Sequence, residues 1–314
     1  MKIFITGGAG YTGSNLVNRL LEKNYKITVC DTFWFGDKLP KNKNLTKIKC
    51  DINNLKSHQL KNHDVIIHLA SIANDPGSEL NPKLSWETIA LGTLHLCNLA
   101  KKNNIKKFIY ASSGSVYGVK KEKKVVETSE LEPISEYNKA KMTAERVIMS
   151  FKESFNYTII RPATVCGISK RMRLDVSVNM FSFQAFKNNK ITIFGGNQIR
   201  PNIHIDDLIS IYILSIEKPI FGIYNAGFEN ISIKDIAKKV RKNVKNTKIV
   251  FFKSNDKRSY RLSSNKLLRK GFKPKKNVDI AIKEMIGFFN SKKFRENDKM
   301  FTVKHMVKLK LNKN

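Results

Sequence analysis

The chain has 314 residues, enough for about two units of roughly 150 residues each. Hydrophobic residues make up 41% of it, which supports real cores and excludes a disordered or fibrous chain. Lysine and arginine total 58 against 26 acidic residues, a formal net charge of +32. Nucleic-acid binding needs that charge gathered into a patch, stripe or arm. Here lysine outnumbers arginine 47 to 11, and the lysines are scattered. With Ile and Asn also abundant, the charge reads as coding bias of an AT-rich genome, and no nucleic-acid partner is expected.

Cys30, Cys50, Cys97 and Cys166 lie far apart and form no CxxC pair. No metal site or disulfide framework is therefore expected, and a reducing cytoplasm fits. Met1-Lys2 runs straight into an apolar Ile3-Phe4-Ile5 without a leader pattern. No apolar run approaches the roughly 20 residues of a membrane span.

In chain order, short apolar runs alternate with helical patterns. Ile3 to Ile5 precedes a glycine turn and a helix carrying Leu16, Val17, Leu20 and Leu21. Strands follow at 27–29, 48–50 and 65–69, then a helix over 85–103, a strand at 108–110, a helix over 136–154 and a strand at 157–160. Buried strands alternating with helices predict an α/β fold, a Rossmann-type doubly wound parallel sheet. The domain built on this sheet is expected over 1–165. A smaller substrate lobe is expected over 166–291, with part of 200–230 returning to the first domain. Helices are predicted over 176–188, 206–217, 232–244 and 279–291, and a strand over 191–194. Residues 292–314 are basic and lack Gly and Pro, and they read as a solvated tail or frayed helix. No internal repeat is present.

Thr6-Gly7-Gly8-Ala9-Gly10-Tyr11-Thr12-Gly13 joins the first strand to the first helix. Glycines there let the backbone turn tightly and approach a pyrophosphate, which the helix N-terminus stabilises. Gly7, Gly10, Tyr11, Thr12 and Gly13 are thus candidate cofactor residues. Asp31 ends the second strand 18 residues after Gly13. A carboxylate there accepts hydrogen bonds from the adenosine ribose and repels a 2′-phosphate. With Thr32 and Phe33 following and no Arg alongside, NAD is expected over NADP. Asp51 and Ile52 follow the third strand and are placed to reach the adenine.

Tyr137 and Lys141 are four residues apart on a predicted helix and share one face. A free tyrosine has a pKa of about 10, so a base active near neutrality needs stabilisation of ~4 kcal/mol. An ammonium about 4.5 Å away at an effective dielectric of 20 supplies roughly 3.7 kcal/mol.

At this point the sequence resembles the extended short-chain dehydrogenase/reductase family, the nucleotide-sugar epimerases and dehydratases, over about residues 1–290. The glycine loop, Ala111-Ser112-Ser113-Gly114-Ser115-Val116-Tyr117-Gly118, Tyr137-Asn138-Lys139-Ala140-Lys141 and Arg161-Pro162-Ala163-Thr164-Val165-Cys166-Gly167 match in order and spacing. The resemblance implies that Ser113 binds the reacting sugar oxygen, that Tyr137 is the general base or acid, and that Lys141 tunes it while holding the nicotinamide ribose. Leu69, Ala70 and Pro162 complete the expected cofactor contacts. Three departures stand out. Gly114 and Ser115 occupy the places where the family's 4,6-dehydratases carry an acid. Ile89 stands where the family usually has Asn, and Asn138 where Gly is frequent.

By the same resemblance Ser115, Asn179, Arg200 and Arg258 bind a nucleotide-diphosphate sugar. A guanidinium fork suits phosphate oxygens in a chain that otherwise prefers lysine. Arg171 and Arg173 extend this surface or are solvated loop charges. His204, beside Asp206-Asp207, reads as structural and Cys166 as packing; Tyr117 either lines the sugar pocket or packs. The expected activity is 4-epimerisation by hydride transfer at the sugar C4. A C4 dehydrogenase or 4-ketoreductase, for instance on a GDP-heptose as the segment from Ala163 to Asn179 suggests, uses the same residues. A non-catalytic NAD-sensing regulator is disfavoured by the intact Tyr137–Lys141 pair. A homodimer through the helices over 85–103 and 136–154 is the expected assembly.

Overall fold

The structure, a computed structural model, describes residues 1–120, 122, 124–254 and 259–312. Strand β1 (Lys2–Thr6) is apolar and buried from its second residue onward, because both faces of the sheet are covered by helices. It leads through the glycine loop into α1 (Tyr11–Glu22), whose Leu16, Val17, Leu20 and Leu21 turn inward. Strands β2 (Lys26–Asp31) and β3 (Leu45–Lys49) extend the sheet on one side. On the other side, β4 (Val65–His68) and the short helices α2 (Asp75–Leu80) and α3 (Pro82–Trp86) follow.

A wide helical turn at Glu87–Leu91 separates α3 from α4 (Gly92–Lys102), so the helix expected over 85–103 is continuous in direction but irregular at its start. Ile89 sits inside this turn and is buried in the core, where an apolar side chain needs no partner. The polar contacts nearby are made by His68, whose ring nitrogens meet Thr6 Oγ1 at 2.7 Å and Thr93 Oγ1 at 2.9 Å.

Strand β5 (Lys107–Ala111), helix α5 (Glu136–Ser150) and β6 (Asn156–Pro162) continue the alternation. Then β7 (Thr164–Cys166), α6 (Ser177–Asn188), β8 (Lys190–Phe194) and β9 (Ile199–His204) build the second lobe. After α7 (Ile205–Glu217), β10 (Gly222–Ala226) returns to the main sheet by pairing in parallel with β6. Seven parallel strands result, in the order β10-β6-β5-β4-β1-β2-β3. That order reverses between β1 and β4, the switch point at which open α/β sheets bind ligands.

The lobe is completed by β11 (Glu229–Ser232), α8 (Ile233–Asn243), β12 (Lys248–Phe252), α9 (Asn265–Arg269) and α10 (Val278–Phe289). Its core is a separate apolar cluster that includes Phe181, Ile191, Ile236, Ile282 and Met285. His204 accepts from the Asp206 backbone at the start of α7 and meets Glu284 at 3.1 Å, a structural position. Cys166 is fully buried.

Within the expected tail, residues 298–308 are not a solvated stretch. A turn at Asp298–Met300 and helix α11 (Thr302–Lys308) fold back onto the molecule, burying Thr302, His305 and Met306. The basic composition hid this because the lysines of α11 point outward while its three inward residues form a single short stripe.

Candidate active site

A cavity of about 640 Å³ opens at the carboxyl ends of the parallel strands. Gly7, Gly10, Tyr11, Thr12, Gly13, Asp31, Asp51, Ile52, Leu69, Ala70 and Pro162 all border it, together with Ser113, Ser115, Tyr137, Lys141 and Arg200. Residues drawn from eight stretches of sequence therefore meet in one place.

The glycine loop fits a dinucleotide. Gly7 has φ of +70°, and a Cβ on it would lie 2.6 Å from the Ala70 nitrogen. A Cβ on Gly13 would lie 2.4 Å from the Gly7 oxygen. Side chains there would break the turn and fill the cradle in which a pyrophosphate meets the N-terminus of α1. Asp31 is held from two sides: Oδ2 accepts from the Ala9 nitrogen at 2.9 Å and Oδ1 from the Phe33 nitrogen at 2.8 Å. Burial raises its pKa, opposed by these two backbone donors. Asp51 Oδ1 accepts from the backbone and side chain of Asn53. Tyr11 contributes its position rather than its hydroxyl, which donates to the Gly167 carbonyl at 2.7 Å.

At the other end stand the reactive side chains. Tyr137 and Lys141 project from the first turns of α5, which Ser135 caps by accepting from the Asn138 nitrogen. Ser113 Oγ lies 2.7 Å from Ser115 Oγ, and Ser115 in turn donates to Asn138 Oδ1. Asn138, where Gly is frequent in the family, thus fixes the serine pair. Its amide also donates to Asp75 Oδ1 at 3.4 Å.

The expected lowering of the Tyr137 pKa by Lys141 is not what this arrangement gives. Burial, and next the charge of Asp75, push the phenol up to about 12, while Arg173 and a hydrogen bond from Ser113 pull it down. The Lys141 ammonium lies 5.9 Å from the Tyr137 ring centre and donates to the Ala111 carbonyl at 2.7 Å. Its own pKa is brought down to about 7 by burial, with Glu145 opposing.

Below the site, α5 is tied to β6 by a buried ion pair. Arg161 donates through Nε and an NH2 group to both Glu145 oxygens, at 3.0 and 2.7 Å. Its NH1 reaches Tyr117 Oη at 2.7 Å, and Tyr117 donates to Asn225 at 2.8 Å. Tyr117 is therefore a buried structural residue and not part of a sugar pocket. Glu145→Ala would strand the Arg161 guanidinium in the core and is expected to cost about 3–5 kcal/mol. Denaturant unfolding checks this, and a loss below ~1 kcal/mol would count against the ion pair as the anchor of α5.

Asn179, expected among the substrate residues, is not among the residues that border the cavity. It is fully buried, its Oδ1 accepts from the Gly167 nitrogen at 3.0 Å and its amide donates to Tyr11 Oη at 3.1 Å and the Arg173 carbonyl at 2.8 Å. With both ends of the amide engaged, it ties the lobe to the glycine loop. Arg258 lies outside the described residues. Asp75, Arg173 and Asp175, which also border the cavity, were not marked as catalytic neighbours. Arg173 donates to both Asp175 oxygens, at 2.9 and 3.3 Å, and despite burial this holds the Asp175 carboxyl down to about 2. Asp75 sits after an apolar strand in Leu69-Ala70-Ser71-Ile72-Ala73-Asn74-Asp75, and only the tertiary fold brings it to Tyr137.

A parallel sheet with a glycine cradle at its switch point, facing a serine, tyrosine and lysine, defines a dinucleotide-dependent enzyme of the short-chain dehydrogenase/reductase type. Residues 3–227 match the model of the NAD dependent epimerase/dehydratase family, and the chain belongs to that family. It is 30% identical over 222 residues to a putative UDP-glucose 4-epimerase of Methanocaldococcus jannaschii, covering 68% of this chain and 73% of that protein. Similarity extends to a dTDP-D-glucose 4,6-dehydratase of Dictyostelium discoideum, 31% identical over 271 residues, with 76% and 61% covered. Among solved structures, a UDP-N-acetylglucosamine 4-epimerase from Methanobrevibacter ruminantium superposes with a TM-score of 0.85 at 26% identity over 92% of this chain and 97% of that one. The chain is thus an NAD-dependent enzyme of a nucleotide-sugar family. No described helix is long and apolar enough to cross a membrane.

Proposed function

We propose that this enzyme inverts C4 of a nucleotide-diphosphate sugar. The observation that carries this reading is the meeting of Ser113, Tyr137 and Lys141 at one end of a single cavity whose other end is the glycine cradle. When bound, NAD supplies the acceptor and donor of hydride. The chain's own residues do the rest. Ser113 holds the C4 oxygen, Tyr137 takes its proton and later returns one, and Lys141 holds the ribose next to the nicotinamide. Gly114 and Ser115, in place of an acid after Ser113, speak against 4,6-elimination. A C4 dehydrogenase or 4-ketoreductase would use the same three residues and differ in whether the ketosugar leaves.

Arg200 and Arg258 are the proposed partners of the diphosphate, with Ser115 beside the sugar. Arg258→Ala is expected to raise KM by about tenfold with little change in kcat, because the diphosphate does not react. Initial rates over a range of substrate concentration read this, and an equal fall in kcat would remove Arg258 from that role. Incubation with UDP-, GDP- and dTDP-sugars, reading both absorbance at 340 nm and product stereochemistry, tests the reaction itself. An inverted product without net NADH supports the epimerase; stoichiometric NADH supports the dehydrogenase.

A homodimer belongs to this proposal. Leu91, at the end of the wide turn, and Leu94, on α4, are 57% and 41% exposed, as a surface awaiting a second copy would be. Light scattering at micromolar protein should give about twice 36.0 kDa; a single-chain mass would refute the assembly.

A further inference from the structure

The segment after α10 closes over the cavity at the end where Asp31 stands. Thr302 and Met306 of α11 border the cavity together with Asp31, Trp34, Phe35 and Arg171. The segment is anchored to three separate parts of the molecule. His305 Nε2 donates to the Trp34 carbonyl at 2.8 Å, on the loop after β2. The Thr302 nitrogen donates to Asp175 at 3.2 Å, and the Leu174 nitrogen to the Met300 carbonyl at 2.8 Å, on the lobe. Asn81, next to α2, donates to the Leu311 carbonyl at 3.2 Å.

Arg171 lies under this segment and is only 5% exposed. Its guanidinium stacks on Phe35, 3.8 Å from the ring centre, and one NH2 reaches Thr302 Oγ1 at 3.4 Å. Nε is buried and has no hydrogen-bond partner, and among the described residues no carboxylate pairs with this arginine within 4.0 Å. A guanidinium desolvated to this degree, with donors unused, is costly unless oxygens are brought to it. Burial accordingly pulls its pKa to about 9. By sequence alone Arg171 either extends the diphosphate surface or is a solvated loop charge. Its neighbours Asp31, Trp34 and Phe35 put it instead beside the loop that follows β2, where the adenosine half of the cofactor belongs.

We infer that Arg171 is a cofactor-binding residue, donating to oxygens of the adenosine diphosphate part of NAD, and that residues 298–308 complete this part of the site by holding Arg171 in place and covering the cofactor. Release of the cofactor then requires the C-terminal segment to loosen.

The test is binding and dissociation of NADH by fluorescence, and of ADP-ribose by calorimetry, on the full-length enzyme freed of cofactor. Arg171→Met should weaken NADH and ADP-ribose alike by about tenfold, the usual scale for a charge-assisted hydrogen bond. Thr302→Val should weaken both several-fold, and His305→Ala should speed NADH dissociation several-fold. Thermal denaturation of each variant separates loss of binding from loss of fold. Wild-type affinity for both ligands in Arg171→Met overturns the assignment of Arg171, as does a loss seen with NADH but absent with ADP-ribose. Unchanged dissociation in both Thr302→Val and His305→Ala overturns the role of the segment.

Discussion

Tyr137→Phe should abolish most turnover while leaving cofactor binding close to wild type. The substitution removes the atom proposed to exchange a proton with the sugar and keeps the partly buried ring that packs against the core. General acid–base groups contribute about 10²–10⁴-fold, and the loss should fall in that range. Single-turnover NADH formation with the best substrate of the panel measures it, and a wild-type rate would remove Tyr137 from the chemistry. The pH profile carries a second expectation. Burial and Asp75 hold the phenol high, at about 12, so ionisation near neutrality has to be driven by positive charge near it. The nicotinamide ring brings one such charge, and Lys141 and Arg173 are the cations the chain itself offers. Lys141→Met should therefore move the rising limb of activity to higher pH, since a less stabilised phenolate forms only at lower proton concentration. A limb that stays in place would assign the tuning to Arg173 and the cofactor alone.

Legibility in the sequence followed how local each signal was. The parallel sheet could be read because strands covered on both faces must be apolar along their length, as in Ile3 to Ile5 and Val65 to Ile67. The glycine loop and Asp31 could be read because a tight turn before a helix needs missing side chains at fixed spacing. Tyr137 and Lys141 share a helix face for the same local reason. What failed depended on long-range placement. Asn179 looked like a polar group available to a ligand, yet the fold spends its amide on Gly167, Tyr11 and Arg173. Tyr117 could be read either as a pocket wall or as packing, and only the fold shows that Arg161 and Asn225 claim its hydroxyl. The shared helix face of Lys141 and Tyr137 could be read, but not that the ammonium donates to the Ala111 carbonyl and lies 5.9 Å from the phenol ring centre. Residues 292–314 hid a docked helix because Thr302, His305 and Met306 make too short a stripe to stand out among lysines. Arg171 lies 140 positions from Asp31 in the sequence, and nothing in its local motif shows that they become neighbours.

On the proposed placement of Asp31 and Arg171, that neighbourhood is expected to set the cofactor preference. Asp31 is fixed by the Ala9 and Phe33 nitrogens, so its carboxylate cannot swing away from an incoming group. A 2′-phosphate brought close to it would meet like charge. At about 4 Å and an effective dielectric of 20, one pair of unit charges is worth ~4 kcal/mol, or close to a thousandfold in affinity. NAD should accordingly bind at least about 100-fold more tightly than NADP, allowing for relaxation of the loop after β2. Calorimetry with both cofactors reads this directly, and equal affinities would end the case for Asp31 as the selecting residue. Asp31→Ser removes the repulsion and also the ribose acceptor, so NAD should weaken while NADP strengthens. Arg171 then gives the phosphate a cation, because Asp31 no longer occupies its field and its guanidinium has donors to spare. In the double variant Asp31→Ser with Arg171→Met, the gain for NADP should disappear and both cofactors should bind weakly. If NADP affinity rises equally in the single and double variants, repulsion by Asp31 alone accounts for the preference and Arg171 takes no part in it.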